Sequence, residues 1–372
     1  MPLFALTIFT SAFLLFQVQP LIGRALLPWF GGTPSVWTTC MLFFQALLLV
    51  GYGYAHWMAS RVRLGRQVLI HGSLLATGAV LLAVQQFAWD APLLPAASLA
   101  PPDSSQPIPR LLGLLGLSVG LPYFLASTTG PLLQSWFARS YPDRSAYRLY
   151  SLSNLGSMLA LLSYPFVVEP LLPLRWQGRA WAVGFALFVA ACVTVGIRAA
   201  RRASEQAPAA AGTPAAADTA AVVEAPGLGR WLVWIALAAT PSMLLLATTN
   251  QICMDVAVVP FLWVVPLVLY LLSFVLTFES DRWYTRRRFL PVLVISSIAA
   301  VVALEKGTDL GIGLQVGIYL VLLFAGSMIC HGELARLRPP QQRLTGFYLA
   351  VSIGGALGGL FVGIAAPLLF DG

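Results

Sequence analysis

The chain has 372 residues, 58% of them hydrophobic and only 10% charged, with 22 basic side chains against 14 acidic ones. Soluble domains carry about 25% charged residues, so a water-soluble globular protein is excluded, and repeated apolar stretches of roughly 20 residues mark a multi-span membrane protein. The basic excess sits in short connectors between those stretches, where membrane topology accounts for it without nucleic acid.

The opening run MPLFALTIFTSAFLLFQVQP has no positive n-region and no small-residue cleavage site, so it reads as a retained first span over 3–22. Further spans are predicted at 36–56, 68–88, 111–137, 147–168 and 179–197, then at 231–249, 256–278, 289–304, 310–330 and 345–370. The connector 89–110 is rich in proline and poor in basic residues, as an external loop would be. Between the sixth and seventh spans an Ala/Pro-rich stretch cannot bury a core. The expected organisation is an N-terminal six-helix bundle (1–198), a flexible cytoplasmic linker (199–230) and a C-terminal bundle (231–372).

Charge sets the orientation. With the N-terminus inside, the inward connectors hold Arg61, Arg63 and Arg66, then Arg139, Arg144 and Arg148, then Arg198, Arg201, Arg202 and Arg230. They continue with Arg282, Arg286, Arg287 and Arg288, and end with Arg336, Arg338 and Arg343. Only Arg24, Arg110, Arg175, Arg179 and Lys306 fall outside. One missed or invented helix would invert every later loop, so this bias supports eleven spans and a cytoplasmic-membrane protein.

The sequence also repeats. Tyr150, Leu155, Gly156, Leu159 and Leu162 recur in register as Tyr348, Ile353, Gly354, Leu357 and Leu360, and Pro34-x-x-Trp37 resembles Pro260-x-x-Trp263. Spans two and five thus correspond to eight and eleven in the same orientation, which implies two parallel helical repeats. On that logic a counterpart of the sixth span is expected beyond Phe370 as a twelfth helix missing from this chain. Cys40, Cys192, Cys253 and Cys330 lie in apolar spans without a C-x-x-C pair and read as small hydrophobes, with no metal site.

A parallel repeat with basic connectors after spans two and eight resembles the major facilitator superfamily. The loop signature is partial: MASRVRLGR lacks the acidic residue, and FESDRWYTRRR keeps Asp281-Arg282 without the glycine. The strings FQVQPLIGRALLPWFGGTPSVWTTCMLFFQ, YRLYSLSNLGSMLALLSYPFVVEP, TTNQICMDVAVVPFLWVVPLVLYLLSF and CHGELARLRP are similar to the transmembrane part of bacterial fused facilitator/spermidine synthase-like proteins. That resemblance covers nearly all of the chain. It implies a soluble aminopropyltransferase-like domain, fused or separate, as a partner, and puts any transferase chemistry outside these residues.

Polar groups in or beside spans are costly and tend to mark pathways. Gln17, Gln19 and Arg24 lie in the outer half of the first span, with Gln45 in the second, and Asn250, Gln251 and Asp255 hold the comparable stretch of the second half. Arg24 and Asp255 are candidates to pair across the bundle, or both simply anchor external turns. Glu169 stands where the second repeat has Ala366. It is a candidate to attract a small cationic solute such as a polyamine, with Trp37, Trp263 and Tyr123 as cation–π faces; the plainer reading is a loop carboxylate balanced by Arg175 or Arg179.

Asn154 lies beside Gly156, with Ser352 as its repeat counterpart. Helix packing is the default role there, and lining a path is the alternative. His331 and Glu333 close the tenth span and are candidates for proton coupling, while His56 and His71 flank the first basic connector. No spacing requires haem or another cofactor. No H-E-x-x-H, G-x-S-x-G or paired intramembrane aspartates occur, so the chain itself reads as no enzyme. Membrane lipid is an expected partner in either case, and two functions compete: a facilitator-like transporter of a small cationic solute such as a polyamine, and a non-transporting anchor that presents substrate to a spermidine synthase-like domain.

Overall fold

The computed structural model describes residues 1–31, 34–89, 91–101, 106–211, 226–256 and 264–369. They form eleven helices: α1 (Pro2–Phe30), α2 (Pro34–Arg61), α3 (Leu64–Ala88), α4 (Pro107–Ser140), α5 (Tyr147–Leu171) and α6 (Leu174–Ala211), then α7 (Leu228–Val256), α8 (Val264–Glu279), α9 (Arg286–Lys306), α10 (Ile312–Arg336) and α11 (Gln341–Leu369). Ten are long and apolar enough to cross a membrane, and α8, which starts at the edge of the described residues, is shorter. Lipid offers backbone groups no partners, so spanning chain satisfies them within helices. The protein is an all-helical, multi-pass membrane protein, and each predicted span has its helix.

The linker differs from expectation at its start. Helix α6 runs on to Ala211, through residues that are mostly Ala with Arg201 and Arg202, which are strong helix formers whatever their hydropathy. At the far end α7 begins inside the expected linker, at Leu228, and residues 212–225 between lie outside the described ones.

Helices α4, α5 and α11 each contain a π-helical turn, at Gly116–Gly120, Tyr164–Val168 and Phe361–Ala365. Such a turn loosens the carbonyl ladder. In α4 the side chain of Gln85 donates to the freed carbonyls of Leu117 and Ser118 at 3.0 and 3.1 Å, and its own oxygen accepts from the Leu93 amide at 3.0 Å. One buried amide of α3 therefore ties down α4 and the 89–110 connector together.

Packing falls into two sets. Helix α1 lies against α4, α5 and α6, with α2 on α4 and α3 on α6; α7 lies against α10 and α11, with α8 and α9 on α10. The sets meet mainly along α5–α8 and α2–α11. Lipid tails give helices no hydrophobic reason to associate, so close backbone approach at small residues matters more. Gly156 sits where an added Cβ would lie 2.9 Å from the Phe9 carbonyl of α1, and Gly354 abuts the Ile235 carbonyl of α7 in the same way.

The basic connectors converge at one end. Arg139 of α4 donates to the carbonyl of Ala59, Arg202 lies 4.6 Å over the Tyr141 ring, Tyr147 donates to the Pro339 carbonyl, and Arg286 pairs with Glu333 at 3.4 Å. These contacts join all five arginine-rich segments, so the alternation read from charge is a property of the fold.

Candidate functional site

A cavity of about 230 Å³ lies between the two helix sets. Its walls come from α1, α2, α4 and α5 on one side and α7, α8 and α11 on the other. The polar groups on the first side are Gln19, Gln45, Tyr52, Tyr123, Tyr150 and Asn154, with several serines between them. Facing them are Ser242, Tyr270 and Ser352. Among the described residues that line it, none is charged.

The tyrosines converge. Tyr52, Tyr123, Tyr150 and Tyr270, from four different helices, line the one cavity, and Tyr150 stacks on Tyr348. Tyr123 packs on Phe44 with ring centroids 4.8 Å apart and meets the Gln19 amide at 3.3 Å. Asn154, in the lining, donates its amide nitrogen back to the Tyr150 carbonyl at 2.9 Å. Two buried oxygens have no protein partner, the side-chain carbonyl of Gln45 and the hydroxyl of Ser352, one from each helix set.

Toward the arginine-rich end the cavity is closed. Tyr150 and Tyr348 stack face to face across the boundary at 4.6 Å, and Tyr150 meets Phe274 and Phe278 edge-on at 5.5 and 5.0 Å. Hydrogen bonds reinforce the layer: Tyr348 donates to Gln134 at 2.7 Å and Ser151 to the Val275 carbonyl at 3.0 Å. Farther out His56 meets Thr345 at 3.0 Å, again across the boundary. Each of these bonds crosses between the sets, so the closure is made of contacts that separation of the sets would break.

Of the residues singled out from sequence, the cavity gathers Gln19, Gln45, Tyr123 and Asn154. Gln17 points elsewhere: it is buried and spends its amide hydrogens on the Ala160 carbonyl and the Ser163 hydroxyl, both at 2.8 Å, tying α1 to α5. Arg24 and Glu169 pair with each other at 3.3 Å, half in solvent, at the end of the bundle away from the arginine-rich connectors. Helix α5 lies directly against α1 and brings Glu169, for which Arg175 or Arg179 was the expected partner, to Arg24; the expected pairing of Arg24 with Asp255 falls on a side chain outside the described residues. Asn250 is exposed and Gln251 half-buried on the last turns of α7, outside the cavity lining. The side chains of Trp37 and Asp255 and the whole of Trp263 lie outside the described residues.

His331 and Glu333, grouped in sequence, face different surroundings. His331 is fully buried, stacks on Phe274 at 3.5 Å and meets the Ser273 hydroxyl at 2.7 Å, directly behind the cavity wall. Glu333 lies at the arginine-rich end, accepts from the Tyr284 hydroxyl at 2.7 Å and faces Arg286 and Arg336, each at 3.4 Å. Gly332 between them has no side chain, and the Tyr284 ring occupies that space. Tyr284 sits in the connector before α9. Burial, with the Glu333 carboxylate beside it, pushes its phenol up to about 12. His71 is likewise buried, 3.3 Å from Thr129. No cluster of metal-ligating side chains occurs among the described residues.

Sequence reasoning missed Tyr52, Tyr150 and Tyr270 as cavity residues. Tyr150 carried a signal, since it recurs as Tyr348 in the repeat; the other two are tyrosines in apolar runs, indistinguishable there from packing aromatics.

The sequence matches no family model and no curated protein. Among solved structures it is similar to the proton:xylose symporter XylE of the major facilitator superfamily bound to 6-bromo-6-deoxy-D-glucose, at 13% identity and a TM-score of 0.55 over 99% of this chain and 88% of that one. A doubly tryptophan-substituted XylE gives 15% identity and a TM-score of 0.58, with the same coverage. At such identities the likeness is one of fold: this chain has the facilitator arrangement of helices.

Proposed function

We propose that the protein is a transporter in which the two helix sets rock about the central cavity and expose it alternately at the two ends of the bundle. The observation that carries this reading is a polar cavity between the sets, with a layer of contacts across the boundary at its arginine-rich end. The facilitator-like fold supports it, and the named relatives of that fold include a proton:xylose symporter. On the charge pattern, the arginine-rich end faces the cytoplasm.

A polyamine is poorly served by this cavity. The carboxylate expected to attract it, Glu169, is engaged with Arg24 away from the lining, and Tyr123 is the one member of the expected cation–π trio in the described wall.

The second reading is a membrane anchor that presents substrate to a spermidine synthase-like domain. The stacked and hydrogen-bonded layer at the arginine-rich end favours it, because a static module would pack in that way. The test separates the two. In reconstituted full-length protein, Ser151→Cys together with Val275→Cys should lock that end when oxidised, abolish solute exchange and release it on reduction. Exchange indifferent to the lock, or none with any solute, overturns transport in favour of the anchor.

A further inference from the structure

Resting on the transport reading, we infer that the cavity admits a small uncharged solute with hydroxyl or amide hydrogens and an apolar face, read from opposite helix sets by Gln45 and Ser352. At about 230 Å³ the cavity is smaller than the pockets of roughly 300–1,000 Å³ that hold drug-sized ligands.

Three features of the lining converge on that solute. The Gln45 carbonyl oxygen and the Ser352 hydroxyl are buried without partners, and a buried polar group with no hydrogen bond bears its desolvation uncompensated. A ligand O–H or N–H would satisfy the amide oxygen, which can only accept, and the hydroxyl can accept or donate. Gln45 of α2 and Ser352 of α11 both line the cavity, and their helices pack together, so the two residues border one space from different helix sets. Gly359 of α11 makes that placement possible: a side chain there would fall on the Gln45 amide.

The apolar face follows from the rings. Tyr52, Tyr123, Tyr150 and Tyr270, with Phe44 and Phe274, give the wall flat apolar surface with hydroxyls at its edges. Such surface takes up the C–H face of a neutral solute while the hydroxyls bind its polar edge.

Charge is disfavoured by magnitude. Bringing an ammonium out of water costs more than a desolvated cation–π contact returns. A polyamine multiplies the cost, with no lining carboxylate among the described residues to offset it. An anionic solute meets no lining arginine or lysine among them either.

The inference is tested by thiol labelling of the full chain in membrane vesicles carrying Ser352→Cys, with the unsubstituted chain and its four native cysteines as background. Each labelling rate is normalised to the reagent's rate with a free thiol. Methyl methanethiosulfonate, which is neutral, should then react at least about tenfold faster than the trimethylammonium-ethyl reagent, as the ion desolvation cost implies. Spermidine should give no protection. Equal or faster reaction of the cationic reagent, protection by spermidine, or no labelling by either reagent overturns the proposal. Gln45→Cys, on the other helix set, should show the same order and covers the case in which Ser352→Cys does not fold. Labelling is read without transport: a neutral preference with no solute exchange would sink the transporter and leave the character of the cavity standing.

Discussion

Helices α5 and α11 occupy matching places in the two helix sets and differ mainly at their far ends. Each lays a glycine on a backbone carbonyl of its neighbour, Gly156 on Phe9 of α1 and Gly354 on Ile235 of α7. Each then loosens into a π turn at the matching position, Tyr164–Val168 and Phe361–Ala365. Each also contributes one tyrosine to the stacked pair that shuts the cavity. The last turns diverge: α5 carries Glu169, bridged to Arg24, where α11 has Ala366. Facing the cavity, Asn154 is matched by Ser352. Backbone-level packing recurs because two helices that approach closely in lipid leave room for nothing but a small residue, whereas the polar side chains are free to differ between the halves.

The comparison breaks most readily at the glycines. At Gly354 an added methyl group would meet two backbone atoms and the Ala238 side chain, none of which can turn aside. Gly354→Ala should therefore cost about 3 kcal/mol, the upper end of overpacking penalties. Gly156→Ala, with only the Phe9 carbonyl under 3.0 Å, should cost about 1–2 kcal/mol by the same measure. Thermal unfolding of the purified chain in detergent, followed by cysteine-reactive fluorescence, gives the order; a reversed order would mean the two contacts are not one device.

The tyrosine pair comes next. Tyr348→Phe keeps the stack but leaves the Gln134 oxygen unpaired in a buried place, a loss of about 1–3 kcal/mol. Because the bond crosses between the sets, the loss should appear as easier opening of the arginine-rich end, seen as faster labelling of Ser151→Cys in that background. Tyr150→Phe, which keeps both that hydrogen bond and the stack, should leave that labelling nearly unchanged. If both variants open the end equally, stacking and not the hydrogen bond holds it.

A third test concerns the second set alone. Tyr284 holds its proton more tightly folded than unfolded, since burial and the adjoining Glu333 carboxylate both oppose the phenolate. The unfolded chain therefore loses that proton first. The stabilisation is whole below about pH 10 and is lost as pH rises toward about 12. Comparing pH-dependent unfolding of the parent chain with Tyr284→Phe should show a shallower alkaline decline in the variant. An unchanged decline would place the proton elsewhere.

The smallest effect is expected where the two helices differ most visibly. The Arg24 and Glu169 side chains are 44% and 28% exposed, so solvent screens the pair, and a double-mutant cycle with Arg24→Ala and Glu169→Gln should give less than about 1 kcal/mol. A larger coupling would make the charge pair a clamp particular to the first set.

The eleven spans, the alternation of arginine-rich connectors and the repeated glycine were legible in the sequence, because hydropathy and charge act locally and lipid leaves the backbone few alternatives. Four of the candidate residues, Gln19, Gln45, Tyr123 and Asn154, reached the cavity because polar groups in apolar runs are conspicuous. The same conspicuousness misled for Gln17, whose partners on α5 lie far off in sequence, and for Glu169, whose partner depended on which helix lies beside α5. Tyr52 and Tyr270 gave no warning, since a tyrosine in a span reads as packing until its neighbours are known.

By its own pattern, then, the amino-acid chain settled that it crosses the membrane many times, where its helices lie and that it repeats, since each of these follows from short-range hydropathy and charge. Which polar side chains meet in one cavity, which are spent on fastening helices together and which end is shut were decided only when α5 met α8 and α2 met α11. Those contacts join residues more than a hundred positions apart, and no local propensity specifies them.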